Sequence, residues 1–281
     1  MLTLDEKKIR KGKPIGLPYQ GSKKKICKKI IEIIKQNFGT DKIIYDVFGG
    51  GGAIAAECLL NGLDVRYNDF DKDVTDMFRR VTSNDREWLK TLLVSRDEFF
   101  VIKNKSEKTV DDHLKLLINS FGNDKKSYLY GKEQADSKHD LAKEIAEKHD
   151  VFSGYKQTQT WKKQYRELQR LQQLERLQQL QQLEQLVVTN LDYKAFSDIK
   201  GAIFYLDPPY ENTHQDYKGG TFDSQSFYNW AYEMSKNNIV LISSYEITDD
   251  RFECVYEFKT AKSTLQRGRA GKRYEKLFML H

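Results

Sequence analysis

Long apolar runs, paired cysteines and prolines are all scarce in this chain. Without a run of about 18 apolar residues there is no candidate membrane-spanning helix. Residues 1–16 carry charge but no apolar centre, so they do not read as a secretory signal. The three cysteines, Cys27, Cys58 and Cys254, are odd in number and far apart. That excludes a disulfide framework and fits a reducing cytoplasm. The five histidines show no ligand spacing, so no metal site is expected. Charge of one sign is not in large excess: 47 Lys+Arg face 41 Asp+Glu, a net of +6. Such a balance permits a polyanionic partner without naming one. What is present suffices for a globular protein: 281 residues, 39% hydrophobic and 31% charged, can bury a core without a staple.

Apolar residues at Ile26, Ile30, Ile33, Ile34 and Phe38 predict a one-faced helix over 23–38, with Ser22 as N-cap and Gly39 as its stop. A β-branched and aromatic run, 42–48, then meets four glycines, Gly49 to Gly52. A small-residue helix follows, closed by Gly62, and a second strand spans 64–69. This is a βαβ unit, so a parallel sheet is expected. Residues 71–165 lack a strand pattern and read as an inserted helical subdomain, with aromatic and basic residues interleaved. Leucine then recurs every third residue from Leu168 to Leu186. A step of three falls about 60° short of a helical turn, so the leucines drift around the cylinder. The pattern predicts neither a heptad seam nor a one-faced helix; it reads as a repeat grown by duplication, with self-association through exposed leucines as the sharper alternative. Three short apolar runs ending near Tyr193, Tyr210 and Tyr245 resume the strands, and the last thirty or so residues alternate as a hairpin around a Gly- and Arg-rich loop.

A glycine turn between strand and helix lets backbone approach a ligand closely, at a helix end that favours negative charge. Gly50-x-Gly52-x-x-Ala55, with Asp69 downstream for ribose hydroxyls, fits a dinucleotide or S-adenosylmethionine. Capping the following helix is the alternative for Asp69, and it ranks behind the ribose role because the glycine turn lies one unit upstream. Asp207-Pro208-Pro209-Tyr210 follows an apolar run and holds two of the chain's four prolines. Two adjacent prolines make a stiff bracket for a carboxylate, a carbonyl and an aromatic ring.

With these residues in hand, the chain resembles the Dam-like, D12 class (alpha-group) S-adenosylmethionine-dependent adenine-N6 DNA methyltransferases. The likeness runs through Tyr19–Lys23, Asp46–Gly52, Asn68-Asp69, Asn190–Tyr193, Asp207–Tyr210 and Leu241–Tyr245. It implies an α/β Rossmann-like domain with a mostly parallel sheet ending in a β-hairpin, formed by 1–70 and 166–281. Residues 71–165 would be a largely helical target-recognition insertion. The resemblance further implies that Asp46, Phe48, Gly49, Gly50, Gly51 and Gly52 cradle the methionine part of S-adenosylmethionine. Tyr19 and Lys23 would approach it, Lys23 near its carboxylate. Asp69 would hold the ribose, and Asp192 with Tyr193 the cofactor adenine.

Catalysis would rest on Asp207, Pro208, Pro209 and Tyr210, acting on an adenine flipped from double-stranded DNA. Phe222, Phe227, Tyr228 and Trp230 either wall that site or belong to the core. Lys262, Arg267, Arg269, Lys272 and Arg273 are the candidate phosphate contacts, and Arg79, Arg80, Lys103, Lys125 and Lys126 are available to read bases. The expected protein is cytoplasmic, in a bacterial or phage-infected cell, and a monomer or weak dimer. A relative acting on RNA or a protein amide, and a non-catalytic DNA-binding module, are the competing readings.

Overall fold

The computed structural model describes residues 1–19, 21–148, 152, 166–180, 183, 186–211, 222–262 and 274–280. Its centre is a seven-stranded sheet in the order β3-β2-β1-β4-β5-β7-β6. The strands are β1 (Ile44–Asp46), β2 (Val65–Asn68), β3 (Val187–Thr189), β4 (Ile203–Leu206), β5 (Ile239–Ser244), β6 (Phe252–Lys262) and β7 (Tyr274–Leu280). β1 to β5 pair in parallel. β7 runs antiparallel to β5 and to β6, which gives the expected hairpin at one edge. The fold is thus α/β and Rossmann-like, with a mostly parallel sheet.

Strand alternation explains the layers. Ile203, Tyr205 and Leu241 face one side, with α1 (Cys27–Phe38) and α2 (Ala53–Leu60) packed over them. Phe204, Leu206, Val240 and Ile242 face the other, under α9 (Ser224–Ser235). Both sheet faces are therefore dry, as parallel strands require. Phe227, Tyr228 and Trp230 of α9 are buried in this second layer, so the core reading of those aromatics holds.

The first helix starts later than expected. A 3-10 turn, Lys23–Lys25, precedes α1, and the Ser22 side chain makes no capping bond. Gly39 does end the helix, at φ 83° with its N–H on the Lys35 carbonyl. The irregular start aims Lys23 at the strand ends and Lys24 at the neighbouring helices, where its Nζ donates to Gln173 Oε1 at 3.0 Å.

From residue 72 the chain is helical: α3 (Lys72–Thr82), α4 (Arg86–Lys90), α5 (Arg96–Lys103), α6 (Val110–Asn119) and α7 (Lys132–Lys148). In the described part of the leucine repeat the alternative of exposed leucines is not what the structure has. Residues Arg166–Gln178 form α8, and Leu168, Leu171, Leu174 and Leu177 are all fully buried. Over four leucines the drift totals only about half a turn, and α8 packs on α3, α4, α6 and α7. Helices on several sides absorb a broad apolar arc that a single partner could not. Polar residues of the repeat are recruited as well. Tyr130 donates to Glu167 at 2.7 Å, and buried Arg170 donates to the Ile118 carbonyl at the end of α6.

Candidate active site

The glycine turn is held by acids and rings. Asp46, at the end of β1, is buried and accepts the Ala55 N–H at 3.2 Å, tying the strand to the first turn of α2. Its Oδ1 has no partner among the described residues. Asp69 accepts the Gly50 N–H at 2.8 Å through one oxygen and the Asp71 N–H at 2.8 Å through the other. The helix-cap alternative falls to Asp71, whose side chain accepts the Asp73 N–H at the start of α3. Glycine is required at Gly52, which sits at φ +71° with a would-be Cβ 2.5 Å from the Phe78 ring. At Gly49 a Cβ would lie 2.2 Å from the Tyr67 ring, and at Gly50 and Gly51 it would press on Tyr19. Tyr19 therefore covers the turn, as expected of its neighbourhood, while Phe48 points into the aromatic layer, edge-on to Phe227 at 5.6 Å.

Asn68 knits the neighbouring strand ends. Its amide donates to the Val47 and Leu191 carbonyls, and its Oδ1 accepts from Thr189 and the Leu191 N–H. Asp192 lies just beyond, exposed, and caps a 3-10 turn (Tyr193–Phe196) by accepting the Lys194 N–H at 2.9 Å. Tyr193 packs edge-on to Trp230, 5.0 Å between centroids.

Asp207 follows β4, next in the sheet to β1. Lys23, expected near a cofactor carboxylate, sits on this tetrapeptide. Its Nζ lies 2.7 Å from Asp207 Oδ2, 2.8 Å from the Tyr210 hydroxyl and 3.0 Å from Glu275 Oε1. Tyr210 lies within hydrogen-bond distance of Asp207 Oδ1 (3.0 Å) and Glu275 Oε1 (2.8 Å), and Ser243 donates to Glu275 Oε1 at 2.7 Å. The Tyr210 ring meets Tyr245 edge-on at 4.9 Å. Pro208 and Pro209 carry the chain between the two ends of this network, both in trans linkage.

Burial raises Asp46, Asp69 and Asp207. Asp69 and Asp207 are each pushed up to about 6, first by desolvation, with neighbouring carboxylates adding to it and Lys23 opposing it at Asp207. Asp46 is raised well above the usual carboxylate range for the same first reason, with Asp207 and Asp69 contributing. Burial alone would lower Lys23, but the charges of Asp207 and Glu275 hold it above its ordinary value.

Glu275 was missed in the sequence. The signal was there: in β7 the alternating inward positions are Glu275 and Leu277, and an acid on the buried side of a strand is unusual. Of the candidate base readers, Arg80 is held by a two-pronged bond to Asp111, and Arg79 donates to the Val188 carbonyl at 2.6 Å. Lys103 lies over the Phe100 ring at 5.5 Å, and Lys125 sits in a turn at φ 57°. Lys262 ends β6, whereas Arg267, Arg269, Lys272 and Arg273 lie outside the described residues. Among the described residues no His, Cys, Asp and Glu cluster could hold a metal, and no helix is long and apolar enough to cross a membrane.

Two solved structures are similar to this chain at low identity. One is a candidate methylase of Haemophilus influenzae, 11% identical, covering 91% of this chain and 88% of its own, at a TM-score of 0.36. The other is the rRNA methyltransferase AviRa of Streptomyces viridochromogenes, 12% identical, covering 90% and 84%, at a TM-score of 0.38. No curated protein matches the sequence. The family model for D12 class N6 adenine-specific DNA methyltransferases matches residues 19–256, from Tyr19 over the glycine turn through the tetrapeptide and into the hairpin, and the chain belongs to that family.

Proposed function

We propose that this chain transfers a methyl group from S-adenosylmethionine to the N6 amine of an adenine in duplex DNA. One observation carries the reading beyond family membership. Three acids whose charges burial disfavours, Asp46, Asp69 and Asp207, stand at the ends of β1, β2 and β4, neighbours in the sheet. Such a field fits a ligand with a sulfonium and an ammonium group, which would relieve it. The buried, unpartnered Oδ1 of Asp46 and the close-packed glycine turn support the same fit.

Bound there, the cofactor supplies an electrophilic methyl group. The Asp46–Gly52 turn, Asp69 and Asp192 with Tyr193 would hold it. Adenine's exocyclic amine is a weak nucleophile because its lone pair is delocalised into the ring. Asp207 and the Pro208 carbonyl accept its two N–H bonds and turn the lone pair toward the methyl carbon. This is orientation with electrostatic support, not covalent catalysis. A base inside a duplex is out of reach, so the adenine must leave the stack at a cost of a few kcal/mol. Tyr210 offers the ring against which it rests. The 71–165 region serves as the reader of the target sequence, and Lys262, Arg267, Arg269, Lys272 and Arg273 as phosphate contacts, which makes binding fall steeply with salt.

The test is incubation with methyl-labelled cofactor and unmethylated duplex DNA of varied sequence. Label on adenine N6 supports the reading; label only on RNA or protein, or none, refutes it. Asp207→Ala should abolish transfer while calorimetry still detects cofactor binding.

A further inference from the structure

Resting on the proposed amine chemistry, we infer that Glu275, reaching in from the C-terminal hairpin, is a positioning residue that competes with Asp207 for the Lys23 and Tyr210 donors and so sets how freely Asp207 can accept the substrate amine. Shared donors carry the argument. An ammonium has three N–H bonds, and Lys23 spends them on Asp207 Oδ2, the Tyr210 oxygen and Glu275 Oε1. The Tyr210 hydroxyl accepts from Lys23, has Ser243 as a further partner, and has both carboxylates in reach, Glu275 Oε1 at 2.8 Å and Asp207 Oδ1 at 3.0 Å. Whatever share of these donors Glu275 takes is withdrawn from Asp207, which keeps that much more accepting capacity for an incoming N–H. Ser243, donating to the same Glu275 oxygen at 2.7 Å, fixes that carboxylate in place. Glu275 also shares the Lys23 charge, so Asp207 is not locked into a private ion pair.

The charged and titratable groups facing Asp207 come from five elements. They are Lys23 before α1, Asp46 of β1, Asp69 after β2, Tyr205 of β4 with Tyr210 beyond it, and Glu275 of β7. Of these, Glu275 has a charge that can be removed without touching the glycine turn or the tetrapeptide and without taking away the cation that pairs with Asp207. Glu275→Gln keeps size and an accepting oxygen but loses the charge. The Tyr210 proton should then swing to Asp207, and Lys23 should lean wholly on it.

The experiment follows the Asp207 carboxyl by carbon NMR in full-length protein labelled at aspartate carboxyls, assigned with Asp207→Asn, without DNA or cofactor. In Glu275→Gln the Asp207 midpoint should fall by about one pH unit, the scale of a close charge in a buried site. In steady-state assays kcat should drop about tenfold, one modest hydrogen bond's worth, and the acidic limb of its pH profile should move down with the midpoint. The KM for S-adenosylmethionine should stay put. An unmoved midpoint and acidic limb overturn the inference. Glu275→Asp keeps the charge and shortens the reach, so it should hold the midpoint while losing part of kcat; full kcat in that variant also overturns it. If wild-type protein transfers no methyl to adenine, the reading above falls, while the titration still decides whether Glu275 governs Asp207.

Discussion

Leu174→Ala separates two accounts of the leucine repeat. In the structure Leu174 is fully buried, on the arc of α8 shared with Leu168, Leu171 and Leu177. Truncating a fully buried leucine costs about 2–5 kcal/mol, the lost transfer energy plus the cavity left behind. Alanine is the better helix former, but that returns only a few tenths of a kcal/mol. For a chain of this size the loss corresponds to a fall in melting temperature of roughly 3–9 °C. The paired control is Arg166→Ala at the exposed first position of α8, expected within about 0.5 kcal/mol of wild type. Thermal and urea unfolding measure both, and sedimentation of the same samples reports association. If the leucines were instead an exposed self-association stripe, Leu174→Ala would leave the melting temperature alone and shift the sedimentation coefficient. That result would refute the packing of α8 described here.

Methyl transfer should fall as pH drops through about 6, because Asp207 must be ionised to accept an N–H and burial has raised its midpoint there; a rate flat from pH 8 to about pH 5 would contradict this role. Gly52→Ala should destabilise by about 2–5 kcal/mol, from left-handed backbone strain and a Cβ 2.5 Å from the Phe78 ring, and a melting curve matching wild type would count against the turn geometry. Arg10→Ala strips both prongs, at 2.8 and 2.9 Å, from a Glu57 side chain only 1% exposed; the expected loss is about 3–5 kcal/mol. Adding Glu57→Gln to that variant should recover much of the loss, as read by urea denaturation.

The parallel sheet was legible because its code is short-range. Apolar runs of strand length, a glycine turn and small-residue helices each declare themselves within a few residues, and the closing hairpin showed its period of two. The helix start at residue 23 misled for a tertiary reason. Periodicity placed the apolar face correctly, but Lys23 is drawn out of the helix by carboxylates far along the chain, and Ser22 has no capping bond as a result. The leucine repeat matched neither a heptad seam nor a one-faced helix, and its burial was not legible because a drift of about 60° per step fits no single partner surface. Four helices surrounding α8 make a wide arc the correct shape.

The site divides along the same line. Asp46, the glycines, Asp69 and the tetrapeptide sit beside the turns that form them, so local sequence marks each one. Lys23 and Glu275 gain their roles only by meeting, across 252 positions by their numbers, at the end of β4. That meeting follows from strand order. Placing β7 between β5 and β6 brings the inward side of the last strand against Ser243, and through it to Tyr210 and Asp207. A buried carboxylate there needs a cation and hydroxyl donors, and Lys23, Tyr210 and Ser243 supply them. The hairpin that closes the sheet therefore also sets the charge balance of the tetrapeptide. A change in β7 that leaves the fold intact can still alter the hydrogen bonds and charge around Asp207.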